Sequence, residues 1–183
     1  RPGHADFTAQ SKYGGYQDTA GGGHFSGRLT APLCIAGGLC KQWLENMGIR
    51  VGAHLQAVAG VEDQAFDPLF PDLDAVNTDF PVIDAESGTK MRQAIAEARK
   101  EGDSVGGILE TIVTGVPSGV GEPWFDSIES MISHGLFSIP GVKGVEFGAG
   151  FSIADMKGSQ ANDALKIEKA CLKKFKRQAF FYV

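Results

Sequence analysis

The sequence contains no long hydrophobic run and little cysteine. None of its apolar stretches approaches the roughly 18–20 residues that a membrane-spanning helix needs, and no secretory signal peptide is visible. The three cysteines, Cys34, Cys40 and Cys171, are odd in number and form no C-x-x-C pattern. We therefore expect a cytoplasmic protein with reduced thiols, no metal site and no membrane partner. Because the chain begins at Arg1 rather than Met, we also expect its natural start to lie upstream.

The composition is that of one soluble domain, but the charge is unevenly distributed. A length of 183 residues with 43% hydrophobic and 21% charged residues is typical of a single globular domain. The net charge is −5, yet residues 166–183 carry six basic side chains against one acidic. The rest of the chain is therefore strongly acidic, which disfavours a nucleic-acid partner and requires local cations for any anionic ligand. The basic tail, residues 164–183, fits an acidic partner, a solvated helix ending in a strand-like "AFFYV", or a segment foreign to the body.

Alternating helical and strand patterns predict an α+β fold. Apolar residues recur at helical spacing from Leu33 to Met47, and Gly48 is placed to end that helix. The remaining segments are predicted as a strand over 49–57, an acidic loop over 62–83, a helix over 89–100, a strand over 104–116, a helix over 123–137 and a strand region over 144–156. We interpret His54 and His134 as packed or surface histidines, and Trp43 and Trp124 as core residues.

The first 31 residues are rich in glycine and contain hardly any aliphatic side chain. Seven glycines are present, and the run 21–23 allows a ligand to approach the backbone closely. Arginine suits bidentate recognition of phosphate or carboxylate, and histidine exchanges a proton near neutral pH. The segment lacks both the Gly-Lys-Ser/Thr ending of a Walker A loop and the G-x-G-x-x-G spacing. An anion-binding loop and an ordinary glycine-rich loop fit these residues equally well; the candidate groups are Arg1, His4, His24, Ser26 and Arg28.

Several longer motifs occur together and in a specific order. They are "RPGHAD" at 1–6, "KYG" at 12–14, "GGGHFSGRLTA" at 21–31, "EGDSVGG" at 101–107, "GVPSGVGEPWFD" at 115–126, "GVKGVEFGAGF" at 141–151 and "KGSQAND" at 157–163. In order and spacing this set resembles chorismate synthase. The resemblance covers residues 1–163 and implies an α+β fold, a β-α-β sandwich that is incomplete here, followed by the basic tail at 164–183.

The resemblance also implies a reaction, a cofactor and a set of site residues. Chorismate synthases eliminate phosphate from 5-enolpyruvylshikimate 3-phosphate to give chorismate in aromatic biosynthesis, depend on reduced flavin mononucleotide (FMN), and assemble as homotetramers. His4 matches the family's histidine beside the flavin, so it is the implied catalytic group. The implied substrate ligands are Arg1 and Arg28. The implied flavin contacts are His24, Phe25, Ser26, Pro140 and Gly141.

This sequence departs from the family pattern at several points. His24 and Phe25 stand where the family has Arg and Ser, and Pro140 and Gly141 stand where it has Asn and Ala. The family's "GESHG" segment, its asparagine- and glycine-rich flavin loop and its late Arg-His-Asp segment are not found in the chain. Two hypotheses therefore stand: part of a chorismate synthase that is inactive by itself, or an inactive truncated member that serves as a flavin- or protein-binding module.

Overall fold

An antiparallel sheet forms the scaffold of the molecule. The computed structural model describes residues 4–20, 22–68, 70–162, 165–168, 171–174 and 179–182. These residues form the strands β1 (Arg50–Val58), β2 (Val61–Glu62), β3 (Gly107–Thr114), β4 (Glu146–Phe147), β5 (Leu165–Glu168), β6 (Cys171–Lys174) and β7 (Ala179–Tyr182). Five of the strands make one sheet in the order β2-β1-β3-β7-β4, while β5 and β6 pair separately. All pairings are antiparallel.

The described residues also form five α-helices. They are α1 (Asp6–Tyr13), α2 (Thr30–Asn46), α3 (Ala85–Lys100), α4 (Ile128–Phe137) and α5 (Gly158–Ala161). Helix α3 begins at Ala85 rather than at residue 89, because the Asp84 carboxylate accepts the Ser87 backbone N–H at 2.7 Å and caps the first turn. Within the described ranges, no helix is both long enough and apolar enough to cross a membrane.

The apolar core lies beside β1 and β3 in two small clusters. Val58, Val82 and Met91 form the first cluster, which joins β1 to α3. Phe66 and Ile112 form the second, which joins the loop after β2 to β3. That loop passes so close to the sheet that a Cβ atom on Gly52 would lie 2.6 Å from the Leu73 side chain, so a larger residue there would have to displace that side chain.

A charged cluster is buried on the same strands. The His54 ring, on β1, is fully buried between two carboxylates: Nδ1 lies 3.0 Å from Asp63 Oδ2, and Nε2 lies 2.7 Å from Glu110 Oε2. Asp63 also accepts the backbone N–H groups of Ile83 and Asp84, at 2.6 and 2.9 Å. The cluster thus fixes both ends of the acidic loop to the sheet, and the interpretation of His54 as a packed residue agrees with its burial.

The structure corrects several expectations from the sequence. The strand region expected over 144–156 contains only β4 and then a 3-10 helix over Gly150–Asp155, because Gly148 and Gly150 adopt left-handed φ values of 61° and 54°. Trp43 and Trp124 are 67% and 84% exposed rather than core.

The other corrections concern the two ends of the chain. The opening segment, interpreted from its sequence as a loop, contains the helix α1. This helix buries only Ala9, so its sequence has no apolar period from which a helix could be predicted. One interpretation of the tail was a solvated helix, but its described residues include the strands β5 and β6. The strand-like end of the chain contains β7 (Ala179–Tyr182), which pairs with β3 and β4.

Candidate functional site

His4 lies just before helix α1, beside an acidic residue of the first turn. Its Nδ1 atom is 2.6 Å from Asp6 Oδ1, and the two side chains are 25% and 37% exposed. The backbone here is fixed by two bonds to the Ala5 carbonyl, from the Ala9 N–H at 2.8 Å and the Thr8 hydroxyl at 2.9 Å. His4 is therefore a half-buried imidazole with a bound carboxylate, a pairing suited to proton transfer.

The glycine-rich loop folds as two successive 3-10 turns, Gly23–Phe25 and Gly27–Leu29. Gly22 and Gly23 enter the first turn with φ values of 93° and 49°, which side chains with a Cβ atom rarely adopt. Ser26 joins the turns, and its hydroxyl oxygen accepts the Arg28 backbone N–H at 3.2 Å. The loop is thus an ordered turn that leads directly into helix α2.

A small cavity lies between the end of α1 and the first 3-10 turn. Its volume is about 220 Å³. The Tyr13 and Phe25 rings face each other with centroids 6.4 Å apart and planes inclined at 54°. The described residues that line the cavity are Tyr13, Tyr16, Gln17, Asp18, Gly23, His24 and Phe25.

The lining combines aromatic faces with a few polar groups, as small-molecule sites commonly do. Gly23 lies close to Asp18 in this lining, since a Cβ atom on the glycine would lie 3.0 Å from the Asp18 side chain. Of these residues, the sequence analysis predicts flavin contacts for His24 and Phe25, and it assigns no role to Tyr13, Tyr16 or Asp18. The motif "KYG" was the available signal for Tyr13, because it places an aromatic ring directly before the glycine that ends α1.

The other candidate residues do not line this cavity. Neither His4 nor Ser26 is among the described residues that line it. Arg28 is exposed in the second 3-10 turn. Pro140 and Gly141 follow α4 in an exposed turn, where Gly141 has a φ of 98°. Arg1 lies outside the described residues.

A second, larger cavity of about 430 Å³ lies where α3 meets β1 and β3. Its lining is mainly apolar, with Arg99, Asp103 and Ser104 as polar members. It includes most of the "EGDSVGG" motif, residues 103–107, but no residue selected as a candidate ligand. We therefore regard the loop beside α1 as the candidate site.

Comparison with known proteins identifies the family. The family model described as chorismate synthase matches residues 1–178. The chain is 48% identical over 171 residues to the chorismate synthase of Korarchaeum cryptofilum, covering 91% of this chain and 46% of that protein. It is 50% identical over 165 residues to the chorismate synthase of Chitinophaga pinensis, covering 90% of this chain and 41% of that protein. The chain belongs to the chorismate synthase family.

A solved structure supports the fold independently. A crystal structure of chorismate synthase matches with a TM-score of 0.85 at 23% sequence identity, covering 97% of this chain and 61% of that one. The α+β fold expected from the sequence is therefore confirmed. The family match extends to residue 178, beyond the end of the resemblance at Asp163. The chain spans about half the length of the curated relatives it matches.

Proposed function

We propose that the protein to which this chain belongs is a chorismate synthase, which eliminates phosphate from 5-enolpyruvylshikimate 3-phosphate to give chorismate. The observation that carries the proposal is the His4–Asp6 pair at 2.6 Å, which lies within a motif that matches the family. Identities of 48–50% to curated chorismate synthases over nine tenths of the chain support the same reaction.

Reduced FMN is the cofactor that this proposal requires. The cavity beside α1 offers what one side of a planar ring needs: aromatic walls from Tyr13, Tyr16 and Phe25 and polar groups from His24 and Asp18. When bound, the reduced flavin supplies an electron-rich ring without net oxidation or reduction. The cavity volume of about 220 Å³ is below the roughly 300–1,000 Å³ of typical ligand pockets, so these residues form only part of the site.

The remaining candidate contacts are assigned by their chemistry. The substrate carries phosphate and carboxylates, while the chain carries a net charge of −5. Local cations must therefore hold the substrate, and we assign this role to Arg28 and Arg1. Ser26 presents a hydroxyl group, while Pro140 and Gly141 present the backbone of a turn. We assign all three residues to flavin contacts. His4 is assigned the proton transfer.

Several properties of the complete protein also belong to this proposal. We propose a homotetramer in the cytoplasm. Because the chain spans 41–46% of the length of the two chorismate synthases described above, we propose that the 183 residues alone do not turn over substrate. Groups that act together in a site lose most of their effect when some are missing.

The experiment is a segment exchange with a relative. The part of this chain that aligns with the Korarchaeum cryptofilum protein replaces the matched segment of that protein. The chimera and the 183-residue chain are assayed anaerobically with chemically reduced FMN. Phosphate release from 5-enolpyruvylshikimate 3-phosphate is the measured quantity. We expect multiple turnovers from the chimera and none from the 183-residue chain.

Two variants decide what the exchanged segment contributes. His4→Ala in the chimera should lower kcat by about 10²–10⁴-fold and leave the dissociation constant of FMN within a few-fold. His134→Ala, which removes an exposed histidine on α4, is the matched control and should keep the parental kcat. A folded chimera that binds FMN without turnover would favour a binding module instead. Repeated turnover by the 183-residue chain would contradict the claim that it is inactive alone.

A further inference from the structure

The contact between His4 and Asp6 constrains more than the position of the histidine ring. An ionised carboxylate can only accept hydrogen bonds, so a hydrogen bond across the 2.6 Å from Nδ1 to Oδ1 requires the hydrogen on Nδ1. The short distance fits a hydrogen bond to a charged acceptor, since such bonds are shorter than those between neutral groups. Asp6 therefore selects one of the two neutral tautomers of His4.

The structure around Asp6 keeps the carboxylate in place beside the His4 ring, which maintains this tautomer. Asp6 is the first residue of α1, where a negative charge is favoured by the helix dipole. The first turn is fixed by the bonds from Ala9 and Thr8 to the Ala5 carbonyl. The carboxylate is thus attached to an ordered backbone two residues from the imidazole, and reorientation of the ring would break the Nδ1–Oδ1 bond.

We propose that Asp6 is a positioning residue that holds His4 as the Nδ1–H tautomer, which makes Nε2 the nitrogen that exchanges a proton during the reaction. The proposal rests on the proposed function for the role of His4 in turnover, but the tautomer itself does not depend on it. It assigns the last residue of the "RPGHAD" motif a function of its own, acting on His4 rather than on the substrate.

The tautomer is measured directly by nitrogen NMR of the 183-residue chain labelled with ¹⁵N-histidine. The chain contains four histidines, and the signal lost in His4→Ala identifies His4. At a pH where the ring is neutral, we expect a pyrrole-type shift at Nδ1 and a pyridine-type shift at Nε2. The signals of His134 serve as an internal reference.

Two substitutions at position 6 separate the carboxylate from the shape of the side chain. Asp6→Asn has nearly the same shape, but its amide N–H can donate to Nδ1 and so favours hydrogen on Nε2, as in the serine protease triad when its aspartate becomes asparagine. We expect the His4 pattern to invert in Asp6→Asn and to persist in Asp6→Glu, which keeps an acceptor-only group. An unchanged Nδ1–H pattern in a folded Asp6→Asn variant would overturn the proposal.

Kinetics in the chimera provide the second readout. Asp6→Asn should lower kcat at least tenfold, with little change in KM, and by no more than His4→Ala does. In the double variant, Asp6→Asn should add nothing to His4→Ala, since the aspartate acts through the histidine. Asp79→Asn, which changes an exposed carboxylate paired with Arg92, is the control and should keep the parental kcat.

The outcomes distinguish the two proposals. A chimera without activity contradicts the proposed function, while the NMR pattern still decides the tautomer. Additive losses in an active chimera would show that Asp6 acts independently of His4, which would overturn its assignment as a positioning residue.

Discussion

Two regions of the described chain differ in how many side chains they bury: the sheet half, which comprises β1, β3, the loop after β2 and α3, and the helical half, which comprises α1, the glycine-rich loop, α2 and α4. Strand β1, nine residues long, contains the buried residues His54, Ala57 and Val58. Helix α2, seventeen residues long, buries none. Its apolar side chains are largely exposed, at 51% for Leu33 and 67% for Trp43. The sheet with its loop and α3 therefore contains most of the packing that stabilises this chain, and the helical half contains little.

The well-packed half of the molecule serves as the structural scaffold, and the sparsely packed half contains the candidate site. The candidate site lies in the sparsely packed half, where α1 buries only Ala9 and the loop consists largely of glycine turns. Loops placed on a rigid scaffold commonly carry function. We therefore expect substitutions in the β1–β3 region to affect the free energy of unfolding of the chain, and substitutions around His4 to affect turnover.

The largest effect on stability should come from the buried charged cluster. His54→Ala would leave the Asp63 and Glu110 carboxylates buried without the ring that lies between them. Removing a fully buried aromatic ring together with its two hydrogen bonds costs about 3–5 kcal/mol, so we expect a loss of that size in the free energy of unfolding of the chain. Equilibrium unfolding in urea measures it.

His134→Ala is the control for this measurement, because it removes an exposed histidine and should change stability little. If His54→Ala and His134→Ala have the same free energy of unfolding, the buried cluster does not stabilise the sheet half more than an exposed histidine stabilises the helical half.

A core substitution should give the next largest effect. Met91 on α3 is fully buried against Val58 and Val82. Met91→Ala should lower the free energy of unfolding by about 2–5 kcal/mol, through lost burial and the cavity left behind. Leu39→Ala on α2, where the side chain is 66% exposed, is the matched control from the other half and should cost much less. Similar losses in both variants would contradict the comparison between the halves.

The sequence predicted the elements with a strong period and missed those without one. The helix from Leu33 to Met47 and the strand over 49–57 agree with α2 and β1 to within a few residues, because both carry regular apolar spacing. Helix α1 has no such period. Its end is marked by Gly14, which adopts φ 58°, and its start by Asp6 in the first turn, signals too local to identify a helix alone.

The candidate site was only partly accessible to sequence reasoning. Residue types and family motifs indicated His4 and the glycine-rich loop, and the structure adds the Asp6 contact and the tyrosines of the cavity. The pairing of His54 with Glu110 could not be predicted, since 56 positions separate them and only the register of β1 on β3 brings them together. Contacts between distant strands depend on register, which composition and spacing do not specify.

The smallest effect should come from the cap of α3, at the border of the packed half. The Ser87 backbone N–H donates to the Asp84 carboxylate, which lowers the pKa of Asp84 below its usual value of 3.8. A lowered pKa in the folded state means that the charge stabilises the fold above pH 3.8 and that this contribution is lost as the pH falls through the folded pKa.

In urea unfolding at pH 7, we expect wild type to be the most stable, then Asp84→Asn, which keeps an acceptor for the cap, then Asp84→Ala, which has none. As the pH falls below 3.8, the difference between wild type and Asp84→Asn should disappear, while the difference between the two uncharged variants persists. If the difference between wild type and Asp84→Asn is the same at every pH, the charge of Asp84 makes no contribution and only its hydrogen bond stabilises the start of α3.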